Sequence, residues 1–213
     1  MDYRVGDVVN FNWLKDEPFR FNKSHLIRKA IQLAQYVELR NQGFNFYTAW
    51  DHASYTHTGM IIQVTPKKYV VAEALDEGYV FCDYDKDYFH TMVESEYFRV
   101  VRPIYPVKNV KLEATKLKGR PYSWLNIATM GLSTLLRVVP IFTLFGKGKF
   151  LLDFILNYTD KKLVCSEANT MVAYNTSNKK INLSAEFGVV KDKIMPFHYL
   201  ITKFYKRVIH DGD

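Results

Sequence analysis

Cysteine is scarce in this chain of 213 residues, which carries only Cys82 and Cys165. Two are too few for a disulfide framework, so no disulfide is expected, and a thiol-bearing enzyme or a reduced compartment is the simpler reading. No Pro/Gly/Ser-rich or low-complexity stretch offers a boundary and no internal repeat is detectable, so a single domain over 1–213 is expected. A basic-then-apolar signal segment is also missing. The opening "MDYRVGDVVNF" mixes acidic and basic residues into a strand pattern and reads as part of the fold, which leaves a cytoplasmic protein or one carried within a larger particle. There is no glycine-rich phosphate loop, and His52, His57 and Cys82 lack the short repeated spacings of a zinc site, so neither metal nor cofactor is expected.

Apolar residues are plentiful: 48% of the chain is hydrophobic and 15% aromatic, enough for a packed core and far from a disordered composition. The formal charge of +7 favours an anionic partner, whether a cell-wall polymer, a lipid surface or nucleic acid. The C-terminal "FHYLITKFYKRVIH" interleaves aromatic and basic residues as nucleic-acid surfaces do, but reads more simply as a half-buried element with a solvated cationic face.

"GDVVNFNWL" suits a short first strand after a turn glycine. Ser24 is placed to cap a helix in which Ile27, Ala30, Ile31, Ala34 and Val37 recur at helical spacing, with Gly43 near its end. "HTGMIIQVT", "YVVAEAL" and "GYVFCDY", separated by "PKK" and "DEG" and followed by "EYFRVVRP", predict an antiparallel meander. A second helix is expected over Val107 to Leu117, stopped by Gly119 and Pro121. The apolar stretch 124–145 raises the question of a membrane span. Arg137 in its interior and Pro140 argue against one, because a central charge costs about 2.5 to 3.5 kcal/mol on insertion scales. A helical pair buried on the sheet is expected there, with "GKGKFLLDFILNY" repeating the pattern on a shorter helix. A membrane-touching or substrate-lining wall over 124–156 is the alternative.

Two stretches carry chemistry. "YTHTGMII" places His57 two residues before Gly59 at the head of a strand, and "LVCSEANTMVAY" places Cys165 at the first turn of a helix. A cysteine nucleophile acts as its thiolate and needs a histidine within reach, a group to orient that histidine, and often a helix N-terminus to lower the thiol pKa. Gly59 has no side chain to obstruct a neighbouring helix. Glu73 interrupts the apolar run "VVAEALDEG" on the next strand, and a carboxylate in a buried strand requires a partner. Cys82 alternates as a strand residue and reads as structural. His52, in an expected loop, is the competing base.

In order, "GDVV", "HTGMII", "VAEAL", "GRPY", "VCSE" and "MPFHYL" resemble the signposts of the circularly permuted branch of the NlpC-type papain-like cysteine peptidases, the YiiX-like group. The resemblance runs from Gly6 to about Leu200. It implies an α+β, papain-like fold, an antiparallel sheet packed against helices, to which the apolar stretch is expected to add a helical insertion at about 123–160. It also implies Cys165 as nucleophile, His57 as base and Glu73 as the residue orienting it. Tyr122 matches a family tyrosine near the cysteine, and with the backbone at Ser166 would shape the oxyanion region. Two features depart from the pattern: the 42 residues between Tyr122 and Cys165, and Phe197-His198 where a small residue and an acid are usual. The implied activity is cleavage of an amide bond, in a peptidoglycan peptide, through an acyl-enzyme. The rival readings are a lipid or thioester acyl hydrolase or acyltransferase on the same three residues, with 124–156 meeting a lipid surface, and a non-catalytic structural component of a larger assembly such as a phage tail.

Overall fold

The computed structural model describes residues 2–17, 23–122 and 164–208. Six strands, β1 (Val8–Phe11), β2 (His57–Val64), β3 (Lys68–Leu75), β4 (Gly78–Asp85), β5 (Phe98–Pro103) and β6 (Tyr205–Arg207), form one antiparallel sheet in the order β4-β3-β2-β1-β5-β6. The helices are α1 (Lys23–Asn41), α2 (Phe46–Ala53), α3 (Lys86–Glu94), α4 (Val110–Thr115), α5 (Cys165–Thr176), α6 (Leu183–Phe187) and α7 (His198–Ile201). This is an α+β architecture. Among the described residues no helix is long and apolar enough to cross a membrane. The stretch 124–156, with Arg137 and the insertion expected at about 123–160, lies outside the described residues.

The strands β2, β3 and β4 form the expected meander, with Asp76 and Glu77 as a two-residue turn that pairs Leu75 with Gly78. The fifth strand does not continue it. Asp85 caps α3 by accepting from the backbone N–H groups of Asp87 and Tyr88, and α3 carries the chain over one face of the sheet to set β5 beside β1. Alternation signals a strand but does not say which edge it joins. The first helix covers Lys23–Asn41 among the described residues, which places Ser24 within it rather than ahead of it. Gly43, at φ +90, closes that helix, with Phe44 N–H bonded to the Leu39 carbonyl at 3.1 Å. Asn45 then caps α2 by accepting from Thr48 N–H, which makes His52 helical rather than a loop residue.

Period-two alternation gives the sheet two distinct faces. Val8, Met60, Ile62, Ala72, Ala74 and Val101 meet Ala168, Val172 and Ala173 of α5, together with Val110 and Ala114 of α4. The alanines on both sides let α5 lie close on the sheet, and each fully buried Val, Ile or Met contributes about 1.5–3 kcal/mol. On the opposite face Val9, Phe11, Ile61, Tyr69, Val71 and Val100 pack with Phe89 of α3 and with Tyr3. A smaller cluster of Leu39, Ala49, Ala53 and Phe197 joins α1 and α2 to the segment before α7.

Candidate active site

His57 heads β2 opposite Phe11 of β1, and shares the α3 face of the sheet with Gly59 and Ile61. Glu73 lies directly across from Gly59, and is therefore diagonal to His57 on that face. A Cβ on Gly59 would stand 2.6 Å from Val71 Cγ1 and 2.8 Å from Glu73 Cγ. The glycine thus clears room for the neighbouring strand's side chains, not for a helix as its sequence context suggested. Over that gap His57 Nε2 sits 3.0 Å from Glu73 Oε2, with both side chains buried. Phe11 lies 5.2 Å from the imidazole by ring centroids, and Trp13 stacks on Phe11 at 5.3 Å.

Cys165 approaches from the other face, as the first residue of α5. The backbone register shows how the two meet. Ile61 N–H bonds to the Asp7 carbonyl, so the odd-numbered backbone groups of β2 face β1 and the even-numbered ones face β3. The β2–β3 ladder stops at Gly59 and Glu73, which frees Thr58 N–H to point past the end of the ladder. The Cys165 sulfur occupies that position, accepting from the backbone N–H groups of Thr58 and Ser166 and hydrogen-bonded to the His57 ring. With Nε2 engaged by the carboxylate, Nδ1 is the nitrogen left for the sulfur.

The electrostatics follow from this contact. Burial pushes the Cys165 thiol up, but the facing imidazolium and the two backbone donors override it and bring the thiol below its ordinary value. Burial likewise disfavours a charged His57, yet the thiolate, and after it the hydrogen bond and charge of Glu73, raise it to about 10. The favoured state is a thiolate–imidazolium pair, whose titration belongs to both groups together.

The other expected site residues divide. Gly119 N–H and the Arg120 carbonyl both bond to the Tyr79 backbone, which lays "GRPY" along the head of β4; a Cβ on Gly78 would meet the Arg120 carbonyl oxygen at 2.6 Å. Tyr122 thereby reaches the sulfur and hydrogen-bonds it; burial, the thiolate and Asp76 all hold its hydroxyl proton on. Ser166 contributes only backbone at the sulfur. Its hydroxyl donates to the Ile194 carbonyl on the far side of the turn. His52, the competing base, stays in α2 with Nδ1 2.7 Å from the Thr48 carbonyl. Among the described residues no group of His, Cys, Asp and Glu is placed to hold a metal.

Two neighbours were not expected. Tyr84 donates to Glu73 Oε1 at 2.8 Å, and the Cys82 thiol also hydrogen-bonds this carboxylate, so Cys82 borders the site rather than standing apart from it. The register set by the two-residue turn was the signal for both, since it aligns Glu73 with Val80 and places Cys82 and Tyr84 further along the same face. Thr58 N–H carried no sequence signal.

No family model, curated protein or solved structure matches this chain. A thiol at a helix N-terminus, a histidine beside it, a carboxylate bonded to that ring and donors around the sulfur are the kinds of group that acyl transfer by a cysteine uses.

Proposed function

We propose that the chain is a cysteine hydrolase that cleaves an amide bond through an acyl-enzyme on a permuted papain-like fold. The observation that carries this reading is the buried His57–Glu73 pair facing a thiol at the head of α5. The Cys165 thiolate attacks the carbonyl carbon, and the electron pair of the C=O bond moves to oxygen, where backbone N–H groups and the Tyr122 hydroxyl receive the charge. Collapse of that intermediate breaks the C–N bond, and the imidazolium of His57 gives its proton to the leaving amine. Water then adds to the thioester as His57 takes its proton, and the acid leaves as the thiolate re-forms. Glu73 fixes the ring throughout.

The proposed substrate is a peptide of an anionic cell-wall polymer, which the +7 charge suits. Purified peptidoglycan and phospholipid vesicles, each incubated with the protein and with Cys165→Ala, separate the acyl donors by mass spectrometry of the products. New amine termini in peptidoglycan, absent with the variant, are expected. Release of fatty acid instead would transfer the same mechanism to a lipid ester. Iodoacetamide labelling with peptide mapping separates catalysis from a structural role. Cys165 should label near pH 6 much faster than Cys82, whose thiol is pushed up to about 12 by burial and the Glu73 charge, and His57→Ala should remove the advantage. If Cys82 labels as fast as Cys165, the thiol is structural and the proposal fails.

A further inference from the structure

Glu73 is wholly buried, and its two oxygens have different partners. Oε2 faces His57, while Oε1 accepts the Tyr84 hydroxyl at 2.8 Å and the Cys82 thiol supplies a third contact. Among the described residues the ion pair with His57 is the only one Glu73 makes. A buried carboxylate held by a single partner is free to turn about its terminal torsion, which is broad and two-fold, and to exchange its oxygens. Tyr84 cannot follow such a turn. Its ring is set edge-on against Phe98 at 5.7 Å and Phe89 at 6.1 Å, stacked with Tyr88 at 6.4 Å, and tilted against Phe11 at 6.2 Å. Phe11 in turn packs on the His57 ring.

We infer that Tyr84 is a positioning residue for this site, its anchored hydroxyl locking the Glu73 carboxylate in the orientation that presents Oε2 to His57, with the Cys82 thiol as a secondary support. The consequence for turnover rests on the hydrolase reading; the consequence for the imidazole does not. The titratable groups around the carboxylate are His57 from β2, Cys82 and Tyr84 from β4, and the Tyr79 hydroxyl, which feels the Glu73 charge; Cys165 of α5 acts through His57. Removing the Tyr84 hydroxyl loosens the support of the imidazolium, so His57 gives up its proton at lower pH and less of the thiol is ionised in acid.

The test compares wild type, Tyr84→Phe, Glu73→Gln and the double variant by two measurements: NMR titration of the His57 ring, and iodoacetamide labelling of Cys165 across pH. Tyr84→Phe keeps the packed ring, and its melting curve shows whether the fold is retained. It should move the His57 titration down from about 10 and slow Cys165 labelling at pH 6 by on the order of 3- to 10-fold, the scale of one lost charge-assisted hydrogen bond. In the Glu73→Gln background the same substitution should add almost nothing, because it acts through the carboxylate. Cys82→Ala should shift both measurements the same way by less. An unchanged His57 titration in Tyr84→Phe overturns the inference, as does an effect of equal size with and without Glu73. If instead wild-type Cys165 labels no faster than Cys82, the hydrolase reading falls, while the ring titration still decides the role of Tyr84.

Discussion

Gly59→Ala adds one methyl group between the two strands that carry His57 and Glu73. An added Cβ would stand 2.6 Å from Val71 Cγ1, 2.8 Å from Glu73 Cγ and 3.2 Å from the Ala72 carbonyl oxygen, where ordinary contacts begin at 3.4 Å. Glu73 must therefore retreat by roughly 0.6 Å and Val71 by roughly 0.8 Å, in a sheet interior packed too densely to yield freely. A retreat of that size takes the 3.0 Å contact between His57 Nε2 and Glu73 Oε2 to the limit of a hydrogen bond or past it. The expected cost in stability is that of overpacking, about 1–3 kcal/mol, which lowers Tm by about 2–4 °C for each kcal/mol in a chain of this length. Differential scanning calorimetry reads the stability, and the His57 ring titration reads the site. Glu73→Ala removes Cγ and should relieve part of the clash, so Gly59→Ala should cost less in that background. A Gly59→Ala protein that melts with the wild type and titrates His57 at the same pH would refute the claim that this glycine makes room for the pair.

Two further outcomes follow from the same contacts. Tyr199 donates to the Ser166 carbonyl at 3.0 Å and bonds Thr170 Oγ1 at 2.9 Å, so Tyr199→Phe should destabilise by about 1 kcal/mol in urea unfolding, Thr170 still satisfying the carbonyl. The charged pair also sets a pH dependence. His57, raised to about 10 from an unfolded value near 6.5, contributes stability that is full below 6.5 and lost as pH rises to 10. Cys165, lowered in the fold, contributes stability that is present above an unfolded value of about 8.5 and lost as pH falls through its folded value. Above its folded value and up to about 8.5 the Cys165 slope opposes that of His57, and above about 8.5 stability falls by up to about 1.4 kcal/mol per pH unit until His57 deprotonates. In His57→Gln that alkaline decline should be absent from urea midpoints measured across pH; an identical slope in both proteins would show that no such pair forms.

The strands β2, β3 and β4 were legible because each is a short run rich in β-branched or aromatic residues bounded by turn residues, and the short turn at Asp76 and Glu77 fixes the register of β3 and β4. The helices α2 and α3 were not, because their apolar faces are narrow. In α3 only Phe89 is buried, while in α2 Tyr47 is 83% exposed and Trp50 45%, so neither shows a full apolar stripe at helical period. His57, Glu73 and Cys165 could be singled out as residue types in revealing places. Their meeting could not be derived from pattern alone, since His57 and Glu73 lie on one face of the sheet and α5 on the other.

The end of the β2–β3 ladder resolves that topology. Three consecutive residues of β2 make three different contributions: His57 its side chain, Thr58 its backbone N–H, and Gly59 the space for Glu73. The Thr58 side chain, turned to the opposite face, lies 3.5 Å from Asn169 Nδ2 one turn along α5, so the strand that carries His57 also registers the helix that carries Cys165. Were the ladder one pair longer, Thr58 N–H would be spent on β3 and the sulfur would have to pass through the sheet to reach the ring. The geometry therefore depends on where the pairing stops and on a helix aimed at that point. It places no demand on whether the histidine strand or the cysteine helix comes first in the chain, so a histidine more than a hundred residues ahead of the cysteine is no obstacle to forming the site.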